Sequence, residues 1–219
     1  MEKRTCMTAA LAALVFVGAP AAASAQDGSG FSVDARGGIV IPVSDMADLV
    51  DAGPTMGASV RYRVHPRVDA RIDGELDILS GLDEGDQAAT PDVELWRALA
   101  GVGVRILGAG SPVDVSAHVE GGLTSYNTAV FPDVVFDPAS GDPVGDFAET
   151  YPTVAGGLEV GYPVVSTMNL SADVVARGSW TMMFTDDEET AIFSQIRSGA
   201  GGFDQGTTVP VTLGLKLGF

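Results

Sequence analysis

From residue 31 to the end of the chain, apolar and polar positions alternate with a period of two, block after block. Residues 68–78 show it most cleanly: Val68, Ala70, Ile72, Gly74, Leu76 and Ile78 fall on one parity, and Asp69, Arg71, Asp73, Glu75 and Asp77 on the other. A helix, with its 3.6-residue period, would scatter those charges around its axis. A strand sorts them, because successive side chains point to opposite faces. The same pattern recurs in residues 31–41, 56–64, 96–106, 113–123, 154–162, 168–182 and 207–219. The pattern predicts eight two-faced strands.

None of the apolar-parity positions in these windows is Asp, Glu, Lys or Arg, although 19% of the chain is charged. A lipid-facing surface explains that exclusion, since Arg or Lys there costs about 2–4 kcal/mol at mid-bilayer. The connections alternate as well. Residues 42–55, 80–92, 124–153 and 185–206 make long links, and residues 65–67, 108–112 and 163–167 make short ones. Long and short links in strict alternation predict an all-β, eight-stranded antiparallel up-and-down transmembrane β-barrel. Its turns are short and periplasmic, its outer loops are long, and both termini lie on the periplasmic side. Trp96 and Trp180 then fall at the outer rim, and Phe31, Tyr62, Tyr162 and Phe219 at the periplasmic rim, as two lipid-interface girdles.

The closing stretch sharpens this. Val209, Val211, Leu213, Leu215, Leu217 and Phe219 share one parity, and the sequence ends on the aromatic residue. In this strand and in its architecture the chain resembles the eight-stranded outer-membrane barrels of the OmpA, OmpX and OmpW kind. The resemblance implies a Gram-negative-type cell envelope, a lipid environment, and a C-terminal strand recognised by the barrel insertion machinery.

Composition agrees with a barrel in lipid. Hydrophobic residues make up 46% of a chain whose formal charge is −17, and its mean hydropathy is positive. That combination suits apolar residues facing lipid with acids in lumen and loops. The negative charge argues against nucleic acid, which requires clustered Lys and Arg. No run of 18 apolar residues is present to form a spanning helix. Lys3 and Arg4, an apolar stretch at residues 9–17 and Ala23-Ser24-Ala25 predict a signal peptide over residues 1–25, leaving residues 26–219 as the barrel domain. The single cysteine, Cys6, lies in that leader, so no disulfide or thiolate metal site is expected in the mature chain.

An eight-stranded barrel is just wide enough for its own side chains to fill it. The polar parity turns inward, predicting a lumen network of Arg36, Arg61, Arg63, Asp69, Arg71, Asp73, Glu75, Arg105, Asp114, His118, Glu120, Glu159, Asp173, Arg177 and Lys216, with Asp34, Asp77 and Arg97 on the same parity. Opposite charges packed together plug and stiffen a barrel; a wet, charge-lined path for small solutes is the alternative. For lipid-modifying catalysis the candidate base is His118, with Ser116 and Glu120 two residues away on the same face. That i, i+2 spacing of about 7 Å is too long for a triad without partners from other strands, so no catalytic residue, cofactor or structural metal is expected. Acidic outer loops (Asp83, Glu84 and Asp86; Asp133, Asp137, Asp142, Asp146 and Glu149; Asp186, Asp187, Glu188 and Glu189) offer oxygen ligands to divalent cations, without EF-hand spacing. Solvated loops are the simpler reading. Short helices are expected at residues 44–49, capped by Ser44, and at residues 188–197. The sequence thus points to a non-enzymatic outer-membrane barrel in a structural or surface-interaction role, with a narrow porin-like channel as the alternative. A soluble lipocalin-like barrel would instead turn the apolar parity inward.

Overall fold

In a computed structural model of the chain, residues 30–48, 50–81, 92–107, 111–128, 148–167, 170–184 and 205–219 are described. Alternation becomes strand throughout: β1 (Phe31–Val43), β2 (Val50–Asp51), β3 (Gly53–His65), β4 (Val68–Gly81), β5 (Val93–Leu107), β6 (Asp114–Thr128), β7 (Ala148–Ser166), β8 (Ser171–Phe184) and β9 (Gln205–Gly218). Apart from β2, a two-residue addition to the edge of β4, each strand pairs antiparallel with the next, and β1 pairs with β9 to close the ring. The result is an all-β, closed, eight-stranded antiparallel barrel.

The register fixes its geometry. Starting from Val33, ladder partners run through Val60, Ile72, Ala100, Gly121, Val154, Met182 and Thr207 and return to β1 at Val43, ten residues further on. With standard strand spacings, eight strands and a stagger of ten give a tilt of about 40° and a backbone radius of about 8 Å. Such a radius leaves room for side chains and little else.

The two parities meet different surroundings. On β4, Arg71, Asp73, Glu75 and Asp77 are buried in the lumen, whereas Ile72 between them is 64% exposed on the outside. Val60, Val102, Val119, Leu158, Val174 and Leu213 extend the exposed apolar surface round the barrel. An apolar belt that encircles the whole molecule far exceeds the patches water-soluble proteins tolerate; its solvent is lipid. This orientation is the reverse of a lipocalin-like barrel.

The strands outrun the sequence windows. They are 13 to 19 residues long, against the 9–11 or so that a bilayer needs. β6 runs on to Thr128 and β7 starts at Ala148, because Tyr126 and Tyr151 are buried on the lumen side and hold the pair together beyond the apolar belt. At the other end β7 continues to Ser166 through an irregularity between Pro163 and Val165. β8 begins at Ser171, later than the window at residues 168–182; the Thr167 N–H donates to the Leu170 carbonyl at 2.8 Å to close the turn before it. Met168 and Asn169, part of that window, lie outside the described residues.

After β1 the short helix expected at residues 44–49 is present as a 3-10 helix, Ser44–Asp48. Ser44 is no N-cap: at φ 57 it takes the left-handed conformation, which reverses the chain immediately and carries Met46 back over the mouth of the barrel. The residues expected as a helix at 188–197, the leader at 1–25 and the acidic loop residues lie outside the described residues, save the backbone of Glu149 in β7.

Candidate functional site: the lumen of the barrel

The inward parity of all eight long strands converges on one continuous network. Arg36 of β1 donates to Asp34 at 2.8 Å and to Asp73 of β4 at 2.6 Å. Arg71 Nε sits 3.0 Å from Asp73 and 2.8 Å from Glu120 of β6. Arg97 of β5 donates to Glu75 at 2.7 Å and also pairs with Asp77. Ser59 donates to Asp34 and accepts from Arg61 at 3.1 Å.

Three links cross the full width of the lumen. In the ring, β3 stands opposite β7, β4 opposite β8, and β5 opposite β9. Arg61 of β3 donates to both oxygens of Glu159 on β7, at 2.5 and 2.7 Å. Arg177 of β8 donates to Asp73 of β4 at 2.5 Å, and its Nη2 reaches both Glu120 oxygens at 3.0 Å. Arg97 of β5 donates to Thr208 of β9 at 2.7 Å. Guanidinium groups therefore span the bore between facing walls.

Charge nearly balances inside. The buried cations are Arg36, Arg61, Arg71, Arg97 and Arg177, and the buried anions are Asp34, Asp73, Glu75, Asp77, Glu120 and Glu159. Each anion has at least one cation within ion-pair range. Lys216 Nζ, 3.9 Å from Glu159 and 3.0 Å from Asp173, supplies a sixth positive charge at the edge of the belt. Two glycines make room for this packing. A β-carbon on Gly214 would sit 2.7 Å from Arg36 Cβ, and one on Gly101 would sit 2.8 Å from Glu120 Cγ.

Towards the long-loop end the lumen turns apolar. Val40, Leu79, Val93, Leu95, Tyr126, Tyr151 and Met183 pack there with Met46 from the 3-10 helix and Val50 of β2. Met46 is 2% exposed, and β2 is tied to Gly81 and Ser80 of β4. The charged belt is thus capped by an apolar stopper that includes the first long connection. The sequence carries a signal for this stopper: Ile39-Val40-Ile41, Ile78-Leu79 and Met182-Met183 are apolar on both parities where the strands approach their long loops.

Towards the short-turn end the lumen opens. A cavity of about 200 Å³ is bordered by Arg63, Asp69, Arg105, Asp114, Asp173 and Lys216, below the bridge of Arg61 and Glu159. Arg105 pairs with Asp114 at 3.0 Å, both about a quarter exposed. Among the aromatics, Tyr62, Tyr162, Trp180 and Phe219 are exposed, and Phe31 and Trp96 are half-buried. Phe31 and Phe219 also border the cavity.

His118 Nε2 lies 3.1 Å from Ser179 Oγ, a partner on β8 rather than the neighbouring Ser116. Ser179 Oγ also accepts from Arg177 Nε at 3.0 Å, and Glu120 is engaged by Arg71 and Arg177. Among the described residues no carboxylate orients the imidazole, and both residues are buried. Among the described residues no group of His, Cys, Asp and Glu is arranged to hold a metal ion.

No protein-family model matches the sequence, and no curated protein sequence matches it. Solved structures do. Neisserial surface protein A (NspA) is similar at 15% identity, over 88% of this chain and 100% of that one, with a TM-score of 0.59. Ail, the attachment invasion locus protein of Yersinia pestis, is similar at 13% identity, over 87% and 99%, with a TM-score of 0.50. At such identities the likeness is one of fold, and the fold is that of the eight-stranded outer-membrane β-barrels.

Proposed function

We propose that this protein is a non-enzymatic, non-conducting barrel of the outer membrane, acting as a structural scaffold or presenting its long-loop end to partners. One observation carries the reading: guanidinium bridges join opposed walls at three places, Arg61 to Glu159, Arg177 to Asp73 and Arg97 to Thr208. A solute passing through would have to break buried ion pairs, and breaking one such pair costs about 3–5 kcal/mol. The apolar stopper above the belt opposes ion passage a second time. The burial of His118 and Ser179 speaks against action on lipid, whose reactive groups lie outside the barrel wall.

In this reading residues 1–25 are a cleaved leader, the short turns and both chain ends face the periplasm, and the strand ending at Phe219 guides insertion. Divalent cations at the acidic loops remain part of the proposal only as surface ligands. The test is single-channel recording on protein refolded into a planar bilayer, with folding checked by the gel shift between unheated and boiled samples. A silent bilayer from folded protein is expected. Discrete conductance steps, altered by Arg177→Ala, would replace this reading with the narrow channel.

A further inference from the structure

The short-turn cavity holds a mismatch in its charges. Its walls carry four cations, Arg61, Arg63, Arg105 and Lys216, and four anions, Asp69, Asp114, Glu159 and Asp173. Three pairs are made within the protein: Arg61 with Glu159, Arg105 with Asp114, and Lys216 with Asp173. Arg63 and Asp69 are left over. They are direct ladder partners on β3 and β4, of opposite sign and adjacent, yet no ion pair joins them among the described residues.

The two side chains turn to different neighbours, and at Asp69 a glycine makes the room. The Arg63 guanidinium is turned towards Gly30, where a β-carbon would lie 3.6 Å from Nη1. The Asp69 carboxylate lies over Gly103, where a β-carbon would lie 2.6 Å from Oδ1. Asp69 Oδ1 is buried and, among the described residues, has no hydrogen-bond partner. A buried carboxylate oxygen without a donor is costly unless something supplies one. The cavity therefore offers one unmatched anion and one unmatched cation, held apart, at an opening on the short-turn end.

A ligand of single charge would satisfy one of these groups and leave the other. A molecule with both charges satisfies both. The cavity volume of about 200 Å³ has room for an amino acid or a dipeptide with small side chains. We propose that this cavity binds a small zwitterion of the amino-acid or short-peptide class, its carboxylate on Arg63 and its ammonium on Asp69. The bidentate fit of guanidinium to carboxylate orients one end, and the Asp69 carboxylate, which borders the cavity, orients the other. The proposal is independent of conduction, because the cavity lies on one side of the charged belt.

The experiment is calorimetric titration of the full chain, refolded in detergent micelles, with dialanine, N-acetyl-dialanine and dialanine amide. Dialanine is expected to saturate a single site, and each blocked form to bind at least tenfold more weakly. Arg63→Gln should erase the preference over the amide, and Asp69→Asn the preference over the acetylated form. Gly103→Ala, which alters no charge, should weaken dialanine by crowding Asp69. The wild-type series decides the matter even where a variant fails to fold. Equal binding of all three compounds, or no saturable binding by protein that shows the folded gel band, would overturn the assignment.

Discussion

Asp73 is the residue on which the lumen turns. Its carboxylate receives Arg36 at 2.6 Å, Arg71 at 3.0 Å and Arg177 at 2.5 Å, and it is 1% exposed. Removing it leaves three buried guanidinium groups short of an anion. Burial makes that expensive, because an unmatched charge in a low-dielectric interior loses its hydration without recovering it from a partner. Asp73→Ala is expected to lower unfolding free energy by about 3–5 kcal/mol, read from the denaturant midpoint of refolded protein. Asp173→Ala supplies the contrast. Its partner Lys216 and its own side chain are less deeply buried, so water screens the pair more and the loss should be clearly smaller. Equal losses at the two positions would mean that water reaches the belt as freely as it reaches the mouth.

At the scale of elements, the first long connection is part of the wall rather than a free loop. Met46 and Val50 are buried in the mouth, and the left-handed Ser44 that aims them there carries a conformational cost of about 1–2 kcal/mol. Burial of the methionine offsets it. Met46→Ala should cost about 2–5 kcal/mol. Met46→Cys, in a chain with Cys6 absent, should resist a membrane-impermeant maleimide while folded and react after boiling; rapid labelling of the folded form would show that the connection does not seat in the mouth.

This element also marks where the sequence stops being legible. Alternation identifies a strand only where its two faces meet different media. At mid-barrel lipid lies outside and charge inside, and β4 can be read residue by residue. Near the long loops both faces turn apolar, as at Val40 and Leu79, and the strand ends there blur. The lumen site shows a similar division. Parity tells that Arg61 and Glu159 point inward. Their meeting across the bore depends on strand order and a stagger of ten residues, which no local stretch of sequence encodes. His118 meeting Ser179 rather than Ser116 is hidden for the same reason.

At the scale of the whole molecule, the barrel inverts the usual arrangement of a soluble protein: its charges form the core and its apolar side chains the surface. Such an inversion holds only if the surrounding medium is apolar over a band of limited height, which makes a depth-dependent prediction. Ile72 lies inside β4, four residues beyond its first, and Val64 near the short-turn end of β3, and both are well exposed on the outer face. In phospholipid vesicles Ile72→Arg should lower unfolding free energy by about 2–4 kcal/mol, and Val64→Arg by about 0–1 kcal/mol. An arginine at Val64 can reach the headgroup region, whereas one at Ile72 must carry its charge through hydrocarbon. If both substitutions proved neutral, the belt would be facing water or another protein. If both were equally costly, the hydrocarbon band would reach past the end of β3, and the short-turn cavity would open into lipid rather than into water.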